Sequence, residues 1–329
     1  MKYILSKNNN PYFNLAAEEY IIKNLNEDLF YMYINKPSVI IGKNQNPFSE
    51  VNVDFLREKG ILLVRRLSGG GAVYQDLGNV NYSFIVKNKA EDIYNFEKYS
   101  KPIVDFLNHK LNLNSKFGGR NDITIENKKI SGASQFVFNN NLIHHGTLIF
   151  NIDFKDVDKI LTPNYDKIKS KGIKSVQSRV GKIFDFLSED KKISLETFVK
   201  DLISFISNNI EYKFNEEQLL EINKIAKQKE EAIDFILDNK EKYDFQTGEY
   251  IPGFGTIQIY FNLDNNKIID FEIFGEYFSR KDTSKLKDKF INVEYDKEQI
   301  RKTIDSINDF ESYFFNLSKD KLFSLIMMK

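Results

Sequence analysis

The spacing of apolar residues along the N-terminal third of the chain predicts one helix followed by strands. After Asn14, a residue type that commonly caps helices, the run LAAEEYIIKNL places its apolar residues at helical spacing. The runs LFYMYI and SVIIG then predict strands, and a short helix over 53–58 is expected to end at Gly60. The strand ILLVRR leads into the segment LSGGGAVYQDLGN, and the strand VNYSFIV leaves it.

The middle of the chain predicts a helix and then antiparallel hairpins. The stretch NFEKYSKPIVDFLNHKLNL is helical in pattern, and Pro102 favours a start near Lys101 with an apolar face that holds Ile103, Phe106, Leu107 and Leu111. The segments DITIENKKIS and QFVFNNNLIHHGTLIFNI alternate apolar and polar residues around Asn-containing turns. Helical patterns return in SLETFVKDLISFISN and EEQLLEINKIAKQKEEAIDFILDN.

The C-terminal part predicts a smaller unit. Three glycines and a proline in QTGEYIPGFGT precede the hairpin IQIYFNL, DNNK, IIDFEIFG, and two helices are expected around KLKDKF and DKEQIRKTIDSI. The predicted fold class is therefore α+β, with mixed or antiparallel sheets flanked by helices and a small α/β accessory domain. The predicted boundary separates a catalytic domain over 1–248 from an accessory domain over 249–329.

Composition removes several classes of function. The 329 residues contain 47 basic and 47 acidic side chains, so no global field recruits nucleic acid or a membrane. The absence of Cys excludes a cysteine nucleophile, and three His make a zinc site of several imidazoles unexpected. The N-terminal run MKYILSKNNN lacks the apolar stretch of a signal peptide, and no run is long enough for a membrane helix. We therefore expect a cytoplasmic protein.

The densest candidate for chemistry is the run Arg65-Arg66-Leu67-Ser68 followed by three glycines. Three successive glycines lose much conformational entropy on folding, so they favour a backbone that approaches a ligand closely. The neighbouring guanidinium groups favour an anion such as a phosphate or carboxylate, although a plain hairpin loop is the alternative. The spacing matches neither the common phosphate loop nor the dinucleotide motif, and Gly132-Ala133-Ser134 is not a serine-hydrolase elbow.

A second cluster combines Gly118-Gly119-Arg120-Asn121-Asp122 with the segment KKISGA that starts at Lys128. A turn at Glu126-Asn127 would bring Asp122 and Lys129 together, as a magnesium ligand and a phosphate-neutralising cation or as ordinary turn and surface residues. Adjacent strand residues face opposite sides, so at most one of His144 and His145 is expected to face a given site. His109 is expected at the surface.

At these residues the sequence resembles lipoate-protein ligases, in the superfamily that also holds biotin-protein ligases and lipoyl or octanoyl transferases. The matching segments are RRLSGGGAVYQDLGN, GRNDI, KKISGAS, HHGTLIFN and KGIKSVQSRV. The resemblance implies that ATP activates lipoate to lipoyl-adenylate with release of pyrophosphate. It further implies transfer of the lipoyl group to a lysine of a lipoyl-domain protein, such as a 2-oxoacid dehydrogenase acyltransferase subunit or the glycine-cleavage H protein.

The resemblance also assigns roles to residues. Lys129 is the implied catalytic residue, which contacts the acyl carbonyl and the α-phosphate. Asn121 and Asp122 are implied at the phosphates, with Asp122 as a Mg²⁺ ligand. The implied lipoate and adenylate contacts are Arg66, Ser68, Gly69, Gly70, Gly71, Ala72, Val73, Gln75, Gly132, Ala133, His145, Gly146, Thr147, Lys171, Ser178 and Arg179.

Several points stay open at the level of sequence. Many family members carry His where this chain has Gln75, and this amide can still donate and accept hydrogen bonds. ATP and Mg²⁺ are the expected substrate and cofactor, octanoate is a possible second acid, and a monomer is expected. The acyl-thioester transferases are excluded because the chain has no Cys. A biotin-protein ligase and a non-catalytic relative that binds lipoyl domains are the remaining alternatives.

Overall fold

A computed structural model describes residues 1–89, 92–161, 179–239 and 242–328. The N-terminal part of this structure is built on a seven-stranded sheet in the order β1-β2-β6-β10-β9-β8-β7. The first two strands pair in parallel, and the other neighbours are antiparallel. These strands are β1 (Lys2–Leu5), β2 (Leu29–Tyr33), β6 (Asn79–Lys87), β7 (Ser115–Gly118), β8 (Asp122–Ile125), β9 (Lys128–Phe138) and β10 (Asn141–Ile149).

A second, three-stranded sheet in the order β4-β3-β5 carries the glycine run. Its strands are β3 (Ser38–Ile41), β4 (Leu62–Arg65) and β5 (Val73–Gln75). The central strand β3 pairs in parallel with β4 and antiparallel with β5. The segment between β4 and β5, residues 66–72, is called the glycine loop below.

Helices pack on both faces of the large sheet and against the three-stranded sheet. They are α1 (Pro11–Asn24), α2 (Pro47–Glu50), α3 (Val53–Lys59), α4 (Phe96–Leu111), α5 (Val157–Ile160), α6 (Leu195–Ile206) and α7 (Glu216–Asp238). Helices α4 and α6 bury Phe106 and Phe198 against one face, in a core that includes Phe84 of β6. Helices α1 and α7 bury Ile21 and Ile222 against the other face. The apolar layers predicted from the periodicity are thus sorted onto two sides of one sheet.

The C-terminal part has its own core. Strands β11 (Phe245–Ile251), β12 (Gly255–Asp264) and β13 (Lys267–Glu276) form an antiparallel sheet. Helices follow at α8 (Lys287–Phe290), α9 (Lys297–Asp305), α10 (Phe310–Tyr313) and α11 (Lys319–Ile326). The stacked rings of Phe271 and Phe290 lie in this core, with their centroids 4.1 Å apart. The predicted fold class, α+β with a small α/β C-terminal unit, is confirmed.

Two predicted helix starts are wrong. Helix α1 begins at Pro11 with Asn10 as its cap, so Asn14 lies inside the helix, where it is buried and bonds to Asn35. Helix α4 begins at Phe96, capped by Asn95, and continues through Pro102. In both cases an earlier Asn provides the side-chain cap, and in α1 Pro11 occupies the first helical position. The predicted face of α4 is buried as expected.

Other predicted elements are confirmed. Gly60 ends α3 with a φ of 64°, a left-handed conformation that glycine adopts without strain. The turn between β8 and β9 has Glu126 and Asn127 at φ values of 48° and 64°, which suits a two-residue hairpin. No helix in the described part of the chain is long and apolar enough to cross a membrane.

Candidate functional site

Arg66 organises the glycine loop from within. Its guanidinium donates to the carbonyl oxygens of Gly69 at 2.7 Å and Gly71 at 2.9 Å, and to the carbonyl of Ile40 at 3.1 Å. Its Nε also donates to Ser68 Oγ at 3.1 Å. Most hydrogen bonds of the guanidinium therefore hold the conformation of the loop. A ligand would meet the loop backbone.

Arg65 performs a similar task on the opposite side of the strand. It donates to the carbonyls of Gly42, Lys43 and Gln45 at 3.1, 2.9 and 2.7 Å. Burial lowers the pKa of Arg65 and of Arg66 to about 10, which leaves both groups charged at neutral pH. The charge of Arg66 is therefore buried within the loop, and the charge of Arg65 is partly exposed beside residues 42–45.

Ser68 belongs to a buried hydrogen-bonded chain that ends on α1. Its Oγ lies 2.6 Å from His145 Nε2, and His145 Nδ1 lies 2.9 Å from Glu18 Oε2. The second oxygen of Glu18 accepts hydrogen bonds from Tyr33, at 3.1 Å, and from Ser83. Burial alone would raise the pKa of Glu18, but His145 and these hydroxyl donors outweigh it and lower the pKa. Glu18 is therefore an ionised carboxylate in the interior.

The hairpin of β8 and β9 brings Asp122 and Lys129 together, as the sequence predicts. Lys129 Nζ lies 2.7 Å from Asp122 Oδ1, and both side chains are partly exposed. A Cβ added to Gly132 would lie 2.7 Å from Lys129 Nζ, so the absence of a side chain at Gly132 makes room for the lysine head. The lysine therefore folds back over the strand toward the glycine loop.

Strand β9 connects the lysine to the loop. Ser134 Oγ donates to the carbonyl of Gly69 at 2.9 Å, and Ser134 is paired with His145 across the sheet. Gly132 lies two residues away on the same face of β9, a separation of about 7 Å. The partly exposed lysine head and the buried serine–histidine chain therefore mark two ends of one site.

The main chain of Lys129 is also held. Its N–H donates to the carbonyl of Arg179 at 2.8 Å, and its carbonyl accepts from Gly181 at 2.9 Å. Arg179 is thus brought to the lysine through its backbone. The predicted contacts Lys171 and Ser178 lie outside the described residues.

The C-terminal unit covers the glycine loop. A Cβ at Gly69 would lie 2.1 Å from the carbonyl oxygen of Tyr277, and one at Gly71 would lie 2.6 Å from Glu276 Oε1. The Gly70 amide donates a long hydrogen bond of 3.4 Å to the Tyr277 carbonyl. At least two of the glycines therefore allow close approach of the chain's own C-terminal backbone and an acidic side chain. An anion that binds the loop has to displace this contact.

An aromatic contact reinforces the cover. The Phe278 ring packs against Phe96 and Ala133, and the Arg120 guanidinium lies 4.1 Å from its ring centroid. Ala133 also exchanges hydrogen bonds with Asn121, since each residue donates to the other's backbone carbonyl. Asn121 and Ala133 therefore lie at the edge of the site, between the lysine pair and the C-terminal unit.

Gln75 is enclosed in a chain of amides. Its carbonyl accepts from Asn35 at 2.7 Å and its NH₂ donates to Asn81 at 2.7 Å. Both ends of the side chain are thereby oriented by the protein. Three other predicted ligand contacts lie on the strands near Gln75. Val73 pairs with Ile40, Thr147 pairs with Asn81, and Ala72 packs in the small core beside the three-stranded sheet.

The two adjacent histidines face opposite sides of β10, as predicted. His144 is fully buried and stacks on Tyr99 with centroids 5.3 Å apart. Burial, and to a lesser degree His145, lowers the pKa of His144 to about 3, so it is a neutral core residue. At Gly146, an added Cβ would lie 2.5 Å from the Tyr82 hydroxyl, which explains the glycine. His109 is exposed, as expected.

Sequence reasoning missed Glu18. The pair Glu18-Glu19 on an amphipathic helix indicates two solvated carboxylates, yet Glu18 is 3% exposed. One signal was available, because Glu18 lies three residues from both Leu15 and Ile21 and so shares the apolar face of α1. Across the described residues, no cluster of three or more His, Asp or Glu is arranged to bind a metal.

Comparison with known proteins agrees with the sequence resemblance. The chain matches the model of the lipoyl protein ligase A/B catalytic domain over residues 10–207 and that of the bacterial lipoate protein ligase C-terminus over residues 240–326. It is 38% identical to the lipoate-protein ligase LplJ of Bacillus subtilis over 335 aligned positions, covering 99% of this chain and 100% of that protein.

Two solved structures share the fold. The crystal structure of P. falciparum LipL1 in complex with lipoate matches with a TM-score of 0.79 and 26% identity, over 100% of this chain and 99% of that one. A bipartite lipoate protein ligase from Thermoplasma acidophilum, described together with its E2 lipoyl domain, matches with a TM-score of 0.64 and 26% identity. It covers 74% of this chain and 98% of its own.

Proposed function

The chain belongs to the lipoate-protein ligase family, and we propose that it uses ATP to activate free lipoate and then transfers the lipoyl group to a lysine of a lipoyl-domain protein. The observation that carries this proposal is the arrangement of two ends of one site along β9. A partly exposed Lys129–Asp122 pair stands at one end, and the buried Ser68–His145 chain stands at the other. ATP reaches the exposed end, and the acyl chain of the acid extends toward the buried end.

The dimensions suit this acid. Gly132 and Ser134, the residues of β9 beside the two ends, lie about 7 Å apart along the strand. An extended eight-carbon acid measures about 9 Å, from C–C bonds of about 1.5 Å in a zigzag. An acid whose carboxylate lies near Lys129 and whose chain follows β9 would therefore extend past Ser134, which pairs with His145 and donates to Gly69.

In the first step, the carboxylate of the acid attacks the α-phosphorus of ATP and pyrophosphate leaves. Two anions must approach each other, so the site has to supply cations and N–H donors directed at the developing charge. Lys129 is the residue proposed for this task, with help from the glycine-loop amides and from Asn121. Gln75, Gly132, Ala133, Gly146, Thr147 and Arg179 are proposed as contacts of the acid and the adenylate.

In the second step, the acceptor lysine attacks the acyl carbon and AMP leaves. A free lysine has a pKa of about 10.4, so it must lose a proton before it attacks. Lys129 beside the acyl oxygen would stabilise the oxyanion that forms. No nucleophilic side chain of the enzyme is needed, in agreement with the absence of Cys.

Asp122 is the residue proposed to hold Mg²⁺. A single carboxylate beside phosphates suits this ion, which keeps several waters and is often bound by one or two carboxylates together with substrate phosphates. The ion would neutralise phosphate charge. A variant Asp122→Asn should therefore raise the Mg²⁺ concentration needed for half-maximal pyrophosphate release.

We propose two kinds of partner, the acid that is activated and the protein that accepts it. Lipoate is the acid, octanoate is a possible second acid because it has the same chain length, and the acceptor is a lipoyl domain. We propose a monomer with a catalytic domain over 1–248 and an accessory domain over 249–329.

The test is release of pyrophosphate from ATP and Mg²⁺ on addition of lipoate, octanoate or biotin. Lipoate-dependent release with none from biotin supports the proposal. Release with biotin alone would instead make the protein a biotin ligase. No release with any acid, together with binding of lipoyl domains, would make it a non-catalytic relative.

A further inference from the structure

Helix α1 carries two adjacent carboxylates with different partners. The side chain of Glu19 is 13% exposed and pairs with two cations, Lys23 at 2.5 Å and Lys229 at 2.6 Å. Glu18 points into the protein, where its side chain is 4% exposed and meets His145, Tyr33 and Ser83. Burial of a charged carboxylate costs free energy. The full set of hydrogen-bond donors around Glu18 therefore indicates that its charge has a specific role in this protein.

The charge of Glu18 fixes where the proton of His145 lies. An ionised carboxylate can only accept hydrogen bonds, so the ring nitrogen that faces it, Nδ1, must carry hydrogen. In a neutral ring, Nε2 is then the acceptor, and the Ser68 hydroxyl donates to it. One lone pair of Ser68 Oγ accepts from Arg66 Nε, which fixes the hydroxyl in a single orientation.

The same chain continues into the glycine loop. Arg66, which meets Ser68 through Nε, donates to the carbonyls of Gly69 and Gly71 through Nη2. Ser134 holds the Gly69 carbonyl from the side of β9. A continuous set of hydrogen bonds thus connects Glu18 on α1 to the loop backbone that would receive the acid.

We propose that Glu18 is a positioning residue for the activation of lipoate, because it holds His145 in one tautomer and thereby fixes Ser68, Arg66 and the glycine loop. Glu18 does not contact the reacting atoms. Its removal leaves the loop with more than one arrangement, which weakens productive binding of the acid and leaves ATP binding at the Lys129 end unaffected. The kinetic part of this inference rests on the proposed function.

A direct spectroscopic test uses the imidazole nitrogens. The chain has three histidines, so ¹⁵N-histidine labelling gives three ring systems, and a His145→Asn variant identifies the signals of His145. In spectra recorded at a pH where the ring is neutral, the wild-type protein should show one tautomer with hydrogen on Nδ1 and a lone pair on Nε2. In Glu18→Gln this single pattern should be replaced by a mixture or by the opposite tautomer.

The kinetic test compares Glu18→Gln with Glu19→Gln. The two variants make the same chemical change at neighbouring positions of one helix, and Glu19 does not face the site. For Glu18→Gln we expect kcat/KM for lipoate to fall about tenfold to a hundredfold, the range for a misplaced binding group. The KM for ATP should change less than about twofold, and Glu18→Asp, which keeps the charge, should recover part of the loss.

Two results would overturn the inference. One is an unchanged His145 tautomer in Glu18→Gln together with wild-type kinetics. The other is an equal loss in Glu18→Gln and Glu19→Gln, which would indicate a general effect of the helix. If the wild-type protein releases no pyrophosphate with lipoate, the proposed function fails, and the tautomer measurement still tests the role of Glu18 by itself.

Discussion

Gly132→Ala tests how closely the site positions the head of Lys129. The added Cβ would lie 2.7 Å from Lys129 Nζ and 2.9 Å from its Cε. Ordinary contacts begin near 3.4 Å, so the lysine head has to move by about 0.7 Å or more and its contact with Asp122 changes. The side chain of Lys129 is 33% exposed, so it can move without disturbing the core. We therefore expect a large effect on catalysis and a small effect on stability.

The magnitude follows from the sensitivity of catalysis to position. A displacement of about 1 Å at a reacting group costs on the order of a hundredfold in rate. We expect lipoate-dependent pyrophosphate release to fall by about one to two orders of magnitude in Gly132→Ala. The free energy of unfolding in urea should change by less than about 1 kcal/mol, as for a change near a mobile surface side chain.

The matched control is Gly118→Ala on β7, which lies two strands from β9 in the same sheet. Its added Cβ would meet Thr124 at 3.4 and 3.6 Å, which are ordinary contacts, and it does not meet the lysine. Gly118→Ala should therefore retain activity within about twofold. Wild-type activity in Gly132→Ala, or equal losses in both variants, would refute the positioning of Lys129 described above.

Three further predictions follow from other parts of the molecule. Lys129→Ala should abolish pyrophosphate release with an unchanged circular dichroism spectrum, and normal release would remove Lys129 from the mechanism. Gly69→Ala should separate the C-terminal unit from the loop, since its Cβ would lie 2.1 Å from the Tyr277 carbonyl, and small-angle scattering should show a larger radius of gyration than in Gly118→Ala. Burial lowers the pKa of His144 from an ordinary 6.5 to about 3. As the pH drops, His144 is therefore protonated in the unfolded state before it is protonated in the folded state, and the free energy of unfolding should decline below about pH 6.5. This group contributes at most about 1.4 kcal/mol per pH unit, and a His144→Asn variant with the same decline between pH 7 and 5 in urea titrations would contradict the assignment.

Much of the fold could be predicted because its signals are local. Alternation of apolar residues around Glu126-Asn127 predicts the hairpin. Within it Asp122 pairs with Gly132, and Lys129, which pairs with Thr124 beyond a register shift, reaches Asp122. Period-two geometry likewise separates His144 from His145. These relations need only the sequence of neighbouring residues.

The errors have two physical causes. The predicted helix starts are wrong because Asn10 and Asn95, rather than Asn14 and Pro102, provide the local start signals. The other errors come from tertiary packing. The inward direction of Glu18 depends on His145, which lies 127 residues away in the chain. The cover over the glycine loop depends on Tyr277, which lies still further away. Contacts of this range are set by how the sheets and the C-terminal unit pack together. The sequence pattern places Glu18 on the apolar face of α1 but does not identify the partners in these contacts.

The central claim is that this protein attaches lipoate to a lipoyl domain at the expense of ATP. Mass spectrometry of a purified lipoyl domain, incubated with the protein, ATP, Mg²⁺ and lipoate, measures this most directly. The account predicts a mass increase of one lipoyl group that requires ATP and is lost when the acceptor lysine is replaced. An unmodified domain, in a reaction that releases no pyrophosphate, would contradict it.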